Sequence, residues 1–247
     1  MQDNKIPVLR EPVRKRKGGK KLITVLVLLF IVILSVLFFN SSISKISAIT
    51  VEGERFNTAQ ALILTAGIAQ GDTFFGTTEK VVEERLKKLP TVESAVVTKS
   101  FPGKVNIVVK EFAPVAYELS AQGELTAILS NGSSISAGSD NVVDKPILSG
   151  WKKDDPIKAK LGMELAQIPP DLLTDFSEII PSPSKAYPDR IKIYTRTHFE
   201  VITAVSLLKD KVSTLDAVVE TQNPGTITML LADSYVSFDP EEPENEE

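Results

Sequence analysis

The sequence predicts an α+β protein: a single N-terminal transmembrane helix, then a β-α-α-β-β unit, then a mixed, mainly antiparallel β-domain with helices. Three observations carry that expectation. Residues 22–39 are eighteen consecutive residues without a charge. A strand pattern, two short amphipathic helix patterns and two further strand patterns follow, with Gly and Pro where each helix must stop. Beyond residue 117, short apolar runs recur between turn signals such as Asn131-Gly132 and Pro224-Gly225, with one longer helical stripe near the end.

The apolar run reads LITVLVLLFIVILSVLFF, with Thr24 and Ser35 as its only polar interruptions. At about 1.5 Å per residue it makes roughly 27 Å of helix, close to the ~30 Å hydrocarbon core. No polar face exists on it, which argues against a core helix of a soluble domain. A cleaved signal sequence is the competing reading, but its apolar region usually has only ~7–15 residues. The small residues of Ser42-Ile43-Ser44 also make a poor cleavage site beside Ile43 and Lys45. Residues 1–21 carry eight Lys/Arg against Asp3 and Glu11, a balance of +6; with the whole chain at −4, the remainder carries −10. Arg14, Lys15, Arg16, Lys17, Lys20 and Lys21 lie directly before the apolar run, and only Lys45 lies just after it. Excess Lys/Arg marks the cytoplasmic flank, so we expect a single-pass type II protein of the cell membrane, its body extracellular. No aromatic residue interleaves residues 10–21, so nucleic-acid binding is not expected of this topogenic cluster.

After the anchor, Ile46, Ile49 and Val51 before Glu52-Gly53 predict a short strand ending in a turn. Asn57-x-x-Gln60 reads as a capping box for a helix over residues 59–66, stopped by Gly67. The loop at residues 71–76 carries Phe74 and Phe75, expected to plug the core. Thr77 or Thr78 caps a second helix with Val82, Leu86 and Leu89 on its apolar face, ended by Pro90. Residues 92–98 are rich in β-branched residues, and Val105-x-Ile107-x-Val109 alternates with its neighbours. Between them, Phe101-Pro102-Gly103-Lys104 has the Pro and Gly placement of a type II turn.

Ile49-x-Val51-x-Gly53, Leu89-Pro90-x-Val92-x-x-Ala95-x-Val97, and the run from Phe101-Pro102-Gly103-Lys104 through Glu111-x-x-Pro114-Val115-Ala116 resemble a POTRA domain. More narrowly, they resemble the POTRA domain of the FtsQ/DivIB bacterial cell-division proteins, here assigned to residues 46–116. Tandem POTRA repeats and a barrel, which would favour a POTRA-type export chaperone, do not occur in the sequence.

Residues 117–239 are assigned to the β-domain. Leu125-x-Ala127-x-Leu129 running into Asn131-Gly132 predicts a hairpin. Residues 146–150 predict a strand entering a turn, and residues 158–168 a helix with Leu161, Leu165 and Ile168 on one face. Residues 190–194 and 199–202 read as two strands around a turn at Arg196-Thr197. Val205, Leu208, Val212, Leu215 and Val219 form an amphipathic stripe. Pro224-Gly225 leads into residues 226–231, and residues 235–238 make a last short strand. This layout resembles the β-domain of the same family. Residues 240–247 continue an acidic, Pro-containing tail begun at Asp239, with no apolar residue; such a segment is expected to be disordered.

Catalytic chemistry is poorly supplied. With no Cys, there is no disulfide, thiolate nucleophile or Cys-ligated metal. Ser42-Ile43-Ser44-Lys45 matches S-x-x-K and Ser139-Asp140-Asn141 matches S-D-N, as in serine acylating enzymes, but the third element, K-T-G, occurs nowhere. Ser42 stands too close to the bilayer for a pocket, and a second S-x-x-K, at Ser182, follows S-D-N and abuts Pro183. His198 is the sole histidine. No phosphate loop or G-x-G-x-x-G is present. No enzyme, cofactor or metal is expected.

What the resemblance implies is a non-catalytic division scaffold at the septum. It would bind two other single-pass division proteins, FtsL-like and FtsB/DivIC-like, and link them to septal peptidoglycan synthesis. The basic head and acidic tail look like the Gram-positive DivIB form. In FtsQ the partner pairs along an exposed strand near the C-terminus of the β-domain. Here that implies Tyr235, Val236, Ser237 and Phe238, with Tyr235 as an aromatic anchor.

Overall fold

The apolar run forms α1 (Gly19–Asn40), 22 residues long with none of them buried; at its last turn Phe38 and Phe39 lie beside Phe75. The computed structural model describes residues 19–120, 123–137, 143–152 and 155–238. Arg14, Lys15, Arg16 and Lys17, the Ser139-Asp140-Asn141 motif and the acidic tail from Asp239 lie outside the described residues.

Past a 3-10 turn (Ser42–Ser44), β1 (Ala48–Glu52), α2 (Ala59–Ala66), α3 (Glu79–Leu86), β2 (Val92–Ser100) and β3 (Lys104–Glu111) build a three-stranded sheet under two helices. Its order is β1-β3-β2, with β1 parallel and β2 antiparallel to β3. Leu62 and Ala66 of α2, and Val82 and Leu86 of α3, close over Val97, Ile107 and Val109. This is the predicted β-α-α-β-β order, and Gly67 ends α2 with φ +65° as expected.

Two local expectations are corrected. The N-cap of α2 is Thr58, whose side chain accepts the Ala61 N–H; Asn57 is engaged elsewhere. The Glu111 carboxylate accepts the N–H groups of Arg55, Phe56 and Asn57 at 3.0, 2.6 and 3.1 Å, and the Asn57 Nδ2 at 2.7 Å. Asn57 Nδ2 also donates to Thr91 Oγ1 at 2.6 Å. Second, the β2–β3 connection is a three-residue loop rather than a type II turn, because Ser100 pairs with Lys104. Gly103 there has φ +70°, and a Cβ would stand 2.4 Å from the Lys45 carbonyl oxygen, so only glycine fits.

The next strand, β4 (Pro114–Leu119), already belongs to the larger sheet, so residues 114–116 leave the first unit. It pairs with β5 (Leu125–Leu129), which turns at Asn131-Gly132 into β6 (Ser134–Ala137). Then follow β7 (Ile147–Leu148), α4 (Pro156–Leu165), α5 (Pro170–Asp175), β8 (Phe176–Pro181), β9 (Arg190–Thr195), β10 (Glu200–Ala204), α6 (Leu208–Thr221), β11 (Gly225–Met229) and β12 (Asp233–Ser237). The sheet has nine strands in the order β12-β11-β10-β9-β8-β7-β4-β5-β6. Most neighbours are antiparallel; β4–β7, β7–β8 and β10–β11 are parallel. Leu161 and Leu165 of α4 and Leu208 and Leu215 of α6 share one core with Ile191, Ile193, Val201 and Ile227, so these helices cover the same face.

The two sheets touch. Asn131 Nδ2 and Ser133 Oγ of the β5–β6 hairpin donate to the Pro90 carbonyl at 2.9 and 3.3 Å, and Phe56 and Phe112 pack against the buried Tyr117 cluster.

Candidate partner-binding edge

β12 is the terminal strand of the nine-stranded sheet, with β11 as its one neighbour. Two features close it onto β11. Gly225 admits the strand, since a Cβ there would lie 2.4 Å from Val236 O and 2.7 Å from the Tyr235 ring. Lys211 of α6 holds the Asp233 carboxylate through both oxygens at 2.8 Å.

Which backbone groups face outward follows from the ladder. Phe238 N–H donates to Pro224 O at 3.1 Å, one step beyond the Gly225–Ser237 pair. In an antiparallel ladder, hydrogen-bonded pairs alternate. Val236 and Ser234 therefore bond inward to β11, while the N–H and C=O of Tyr235 point to the open side. A chain adding a strand here would meet Tyr235 through its backbone.

Its side chain does something different from the expected anchoring. The Tyr235 ring packs against the core of the β-domain and its hydroxyl donates to Asn223 O at 2.7 Å. The apolar side chains presented to solvent are Val236, 65% exposed, and Phe238, 53% exposed. Strand alternation in the sequence could have separated them from Tyr235, since residues 236 and 238 share a face that 235 does not. Registers place Val236 beside Thr226, Thr226 beside Glu200, and Glu200 beside Tyr194, all on the face opposite the helices. Lys192 bonds Glu200 at 2.7 Å on that face, and this hydrogen bond raises the lysine above its ordinary pKa.

The remaining sequence candidates do not converge. Lys20 and Lys21 occupy the exposed first turn of α1. Ser42 is exposed in the turn directly behind that helix. Ser182 Oγ accepts from Arg190 Nη2 at 3.3 Å, and no helix follows it. His198 is an exposed turn residue with φ +70°. Among the described residues, no three His, Asp or Glu side chains gather as a metal site.

A further feature went unread in the sequence. Glu83 Oε1 accepts the Val97 N–H at 3.0 Å and Glu79 Oε1 the Lys99 N–H at 2.7 Å, both on the outer edge of β2. The Glu79-x-x-x-Glu83 spacing puts both carboxylates on one face of α3, a signal open to sequence reading.

Residues 44–112 match the family model of the FtsQ-type POTRA domain. Over nearly the whole chain, the cell division protein DivIB of Paenibacillus polymyxa (strain E681) is 49% identical, the match covering 98% of this chain and 95% of that protein. DivIB of Geobacillus kaustophilus (strain HTA426) is 30% identical, covering 98% and 94%. A solved structure of the major extracytoplasmic domain of the trans isomer of DivIB from Geobacillus stearothermophilus matches 44% of this chain and 92% of its own, at 29% identity and a TM-score of 0.39.

Proposed function

The chain belongs to the FtsQ/DivIB family of bacterial cell-division proteins, and we propose that it serves division without catalysis, as a membrane-anchored scaffold. It holds FtsL-like and FtsB/DivIC-like single-pass proteins at the septum and links them to septal peptidoglycan synthesis. Its body lies outside the cytoplasm, an orientation supported by Lys20, Lys21 and the four basic residues from Arg14 to Lys17 ahead of the apolar run.

The observation that carries this reading is the terminal position of β12. A strand with one neighbour offers a partner strand a row of backbone groups, and Val236 and Phe238 add apolar surface beside it. Recognition of this kind makes hydrogen bonds and apolar contacts but no covalent bond.

Co-purification of the full-length protein with the two candidate partners tests it. Both partners should be retained, and deletion of residues 239–247 should leave retention intact, since that segment has no apolar side chain. Recovery of neither partner from membranes in which all three are present would sink the scaffold reading. A reporter fused after Glu247 should be active only as an exported enzyme; cytoplasmic activity would reverse the orientation.

A further inference from the structure

The POTRA unit is tied to the end of α1 without a free linker. Ser44, fully buried, donates its hydroxyl to Phe39 O at 2.8 Å and Ser41 O at 2.9 Å, closing carbonyls at the helix end. The same residue's carbonyl accepts the Phe74 N–H at 2.8 Å. Lys45 bridges to Thr73, and Ile46 exchanges backbone bonds with Asp72 and Gly71, each at 2.8 Å. On the other side, Gly103 O accepts the Ser47 N–H at 2.7 Å, which fixes the β2–β3 loop to the same segment. Lys99 Nζ donates to the carbonyls of Phe74 and Thr77 and lies over the Phe74 ring. Neither loop is free to swing away from the helix end.

These bonds set a depth. Across α1, 22 residues give about 33 Å of helix against a hydrocarbon core of ~30 Å, so Phe38 and Phe39 in its last turn stand at the edge of that core. The Phe75 ring centroid is 6.3 Å from Phe38 and 6.4 Å from Phe39. A ring that close to the last turn of the span shares its level. Phe74, buried, joins Phe75 at 5.1 Å to Phe101 at 6.2 Å. The tips nevertheless face outward: Phe75 is 55%, Phe101 58% and Ile43 53% exposed. Exposed Lys45 and Lys104 flank them. Apolar tips beside cations suit the headgroup–acyl boundary of a bilayer, where rings enter the apolar layer and lysines reach phosphate.

We propose that Phe75, Phe101 and Ile43 form a second membrane contact, seating the POTRA domain on the lipid surface at the exit of α1. The lipid is that of the bilayer the helix crosses, and the contact holds whichever side the body occupies. With its base on the lipid, the domain presents a fixed face to partners, and the β-domain extends from a defined orientation.

The chain has no cysteine, so single-cysteine variants of the full-length protein take a nitroxide label at one position only. Phe75→Cys and Phe101→Cys are labelled in liposomes of phosphatidylethanolamine and phosphatidylglycerol. Phe39→Cys reports the membrane and Leu231→Cys, at a 92% exposed position, reports solvent. Labels at 75 and 101 should relax more with oxygen than with a water-soluble nickel chelate, in the sense of the label at 39 and opposite to that at 231. Nickel accessibility at 75 and 101 like that at 231 would overturn the proposal. So would protection from both relaxants, which would mean the cluster is covered by protein. Circular dichroism melting checks that each variant is folded, and the Phe101 variant, altered at an exposed loop tip, keeps the test alive if Phe75→Cys melts early.

Discussion

β2 and β12 are both antiparallel strands at the end of a sheet, and the protein finishes them in opposite ways. On β2, Glu83 and Glu79 of α3 take up the outward N–H groups of Val97 and Lys99. An incoming strand would have to displace two carboxylates. On β12, no such clasp meets the outward backbone of Tyr235 among the described residues, and Val236 and Phe238 beside it present exposed apolar side chains. Edge strands are templates for pairing, and proteins commonly block those they do not use. The difference leaves β2 blocked by carboxylates, while β12 is the edge at which strand addition is proposed.

The largest effect is expected at Glu111, which does for the β1–α2 loop what Glu79 and Glu83 do for β2. Its carboxylate satisfies three backbone N–H groups and the Asn57 amide. Hydrogen bonds to a charged acceptor contribute more than neutral ones, so Glu111→Ala should cost about 3 kcal/mol, read by denaturant unfolding of the POTRA unit. A loss below about 0.5 kcal/mol, the range of ordinary surface changes, would show that these bonds do not hold the loop.

Unclasping β2 comes next. Replacing Glu79 and Glu83 together by Ala should cost about 1–2 kcal/mol and expose a bare edge. If carboxylates are what close β2, the double variant should self-associate in sedimentation velocity while the wild type does not. A variant that stays in the wild-type state would remove the contrast with β12.

The division of labour between these edges was only half legible in the sequence. Anchor, POTRA order, the Asn131-Gly132 hairpin, the α6 stripe and the last strand all follow from local patterns, because each is decided by periodicity or turn chemistry within a few residues. No strand is predicted for β4 or β8: Pro114-Val115-Ala116 is counted with the first unit, and no element is read between the helix ending at Ile168 and residue 190. Pro114 in fact opens β4, and Pro170 opens the short α5, after which β8 begins at Phe176. The parallel pairing of β10 with β11 depends on the intervening α6, so no local pattern reports it. Asn57 resembled a cap because its proper partner, Glu111, lies 54 residues away. The resemblance implies Tyr235 as an aromatic anchor, whereas its ring packs against the β-domain core and its hydroxyl donates to Asn223 O, contacts that no local pattern reports.

A smaller effect tests the same device inside the large sheet. Asp189 accepts the Ser206 N–H at 2.8 Å. Partial burial alone would raise its pKa, but the bonds from Ser206 and its own backbone N–H, with the charge of Lys160, bring it below the ordinary aspartate value. A folded pKa below the unfolded one means stability that is present above the unfolded value and lost as pH falls through the folded one. Asp189→Asn should therefore destabilise by under about 1 kcal/mol at neutral pH, the site being partly solvated. The difference from wild type should shrink below pH ~4. Melting curves across pH check this, and a penalty that persists unchanged in acid would assign the effect to packing.

The smallest effect on stability, and the one that sharpens the comparison most, belongs to β12. Val236 and Phe238 are exposed and do not belong to the core packing, so Val236→Asp and Phe238→Asp should shift stability by no more than about 0.5 kcal/mol. Proline is the wrong probe at 236: the Val236 N–H bonds inward, and removing it would loosen β12 from β11 whether or not a partner binds. Charges on the exposed side chains leave that ladder intact and act only on what approaches from outside. Retention of the proposed FtsL-like and FtsB/DivIC-like partners should drop sharply in the double variant while its melting temperature stays at the wild-type value. The paired control is Val96→Asp on β2, 57% exposed beside the clasped edge, which should leave retention unchanged. Equal retention by both variants would move the interface off the β12 edge, and equal loss would show that the carboxylate clasp does not set the two edges apart.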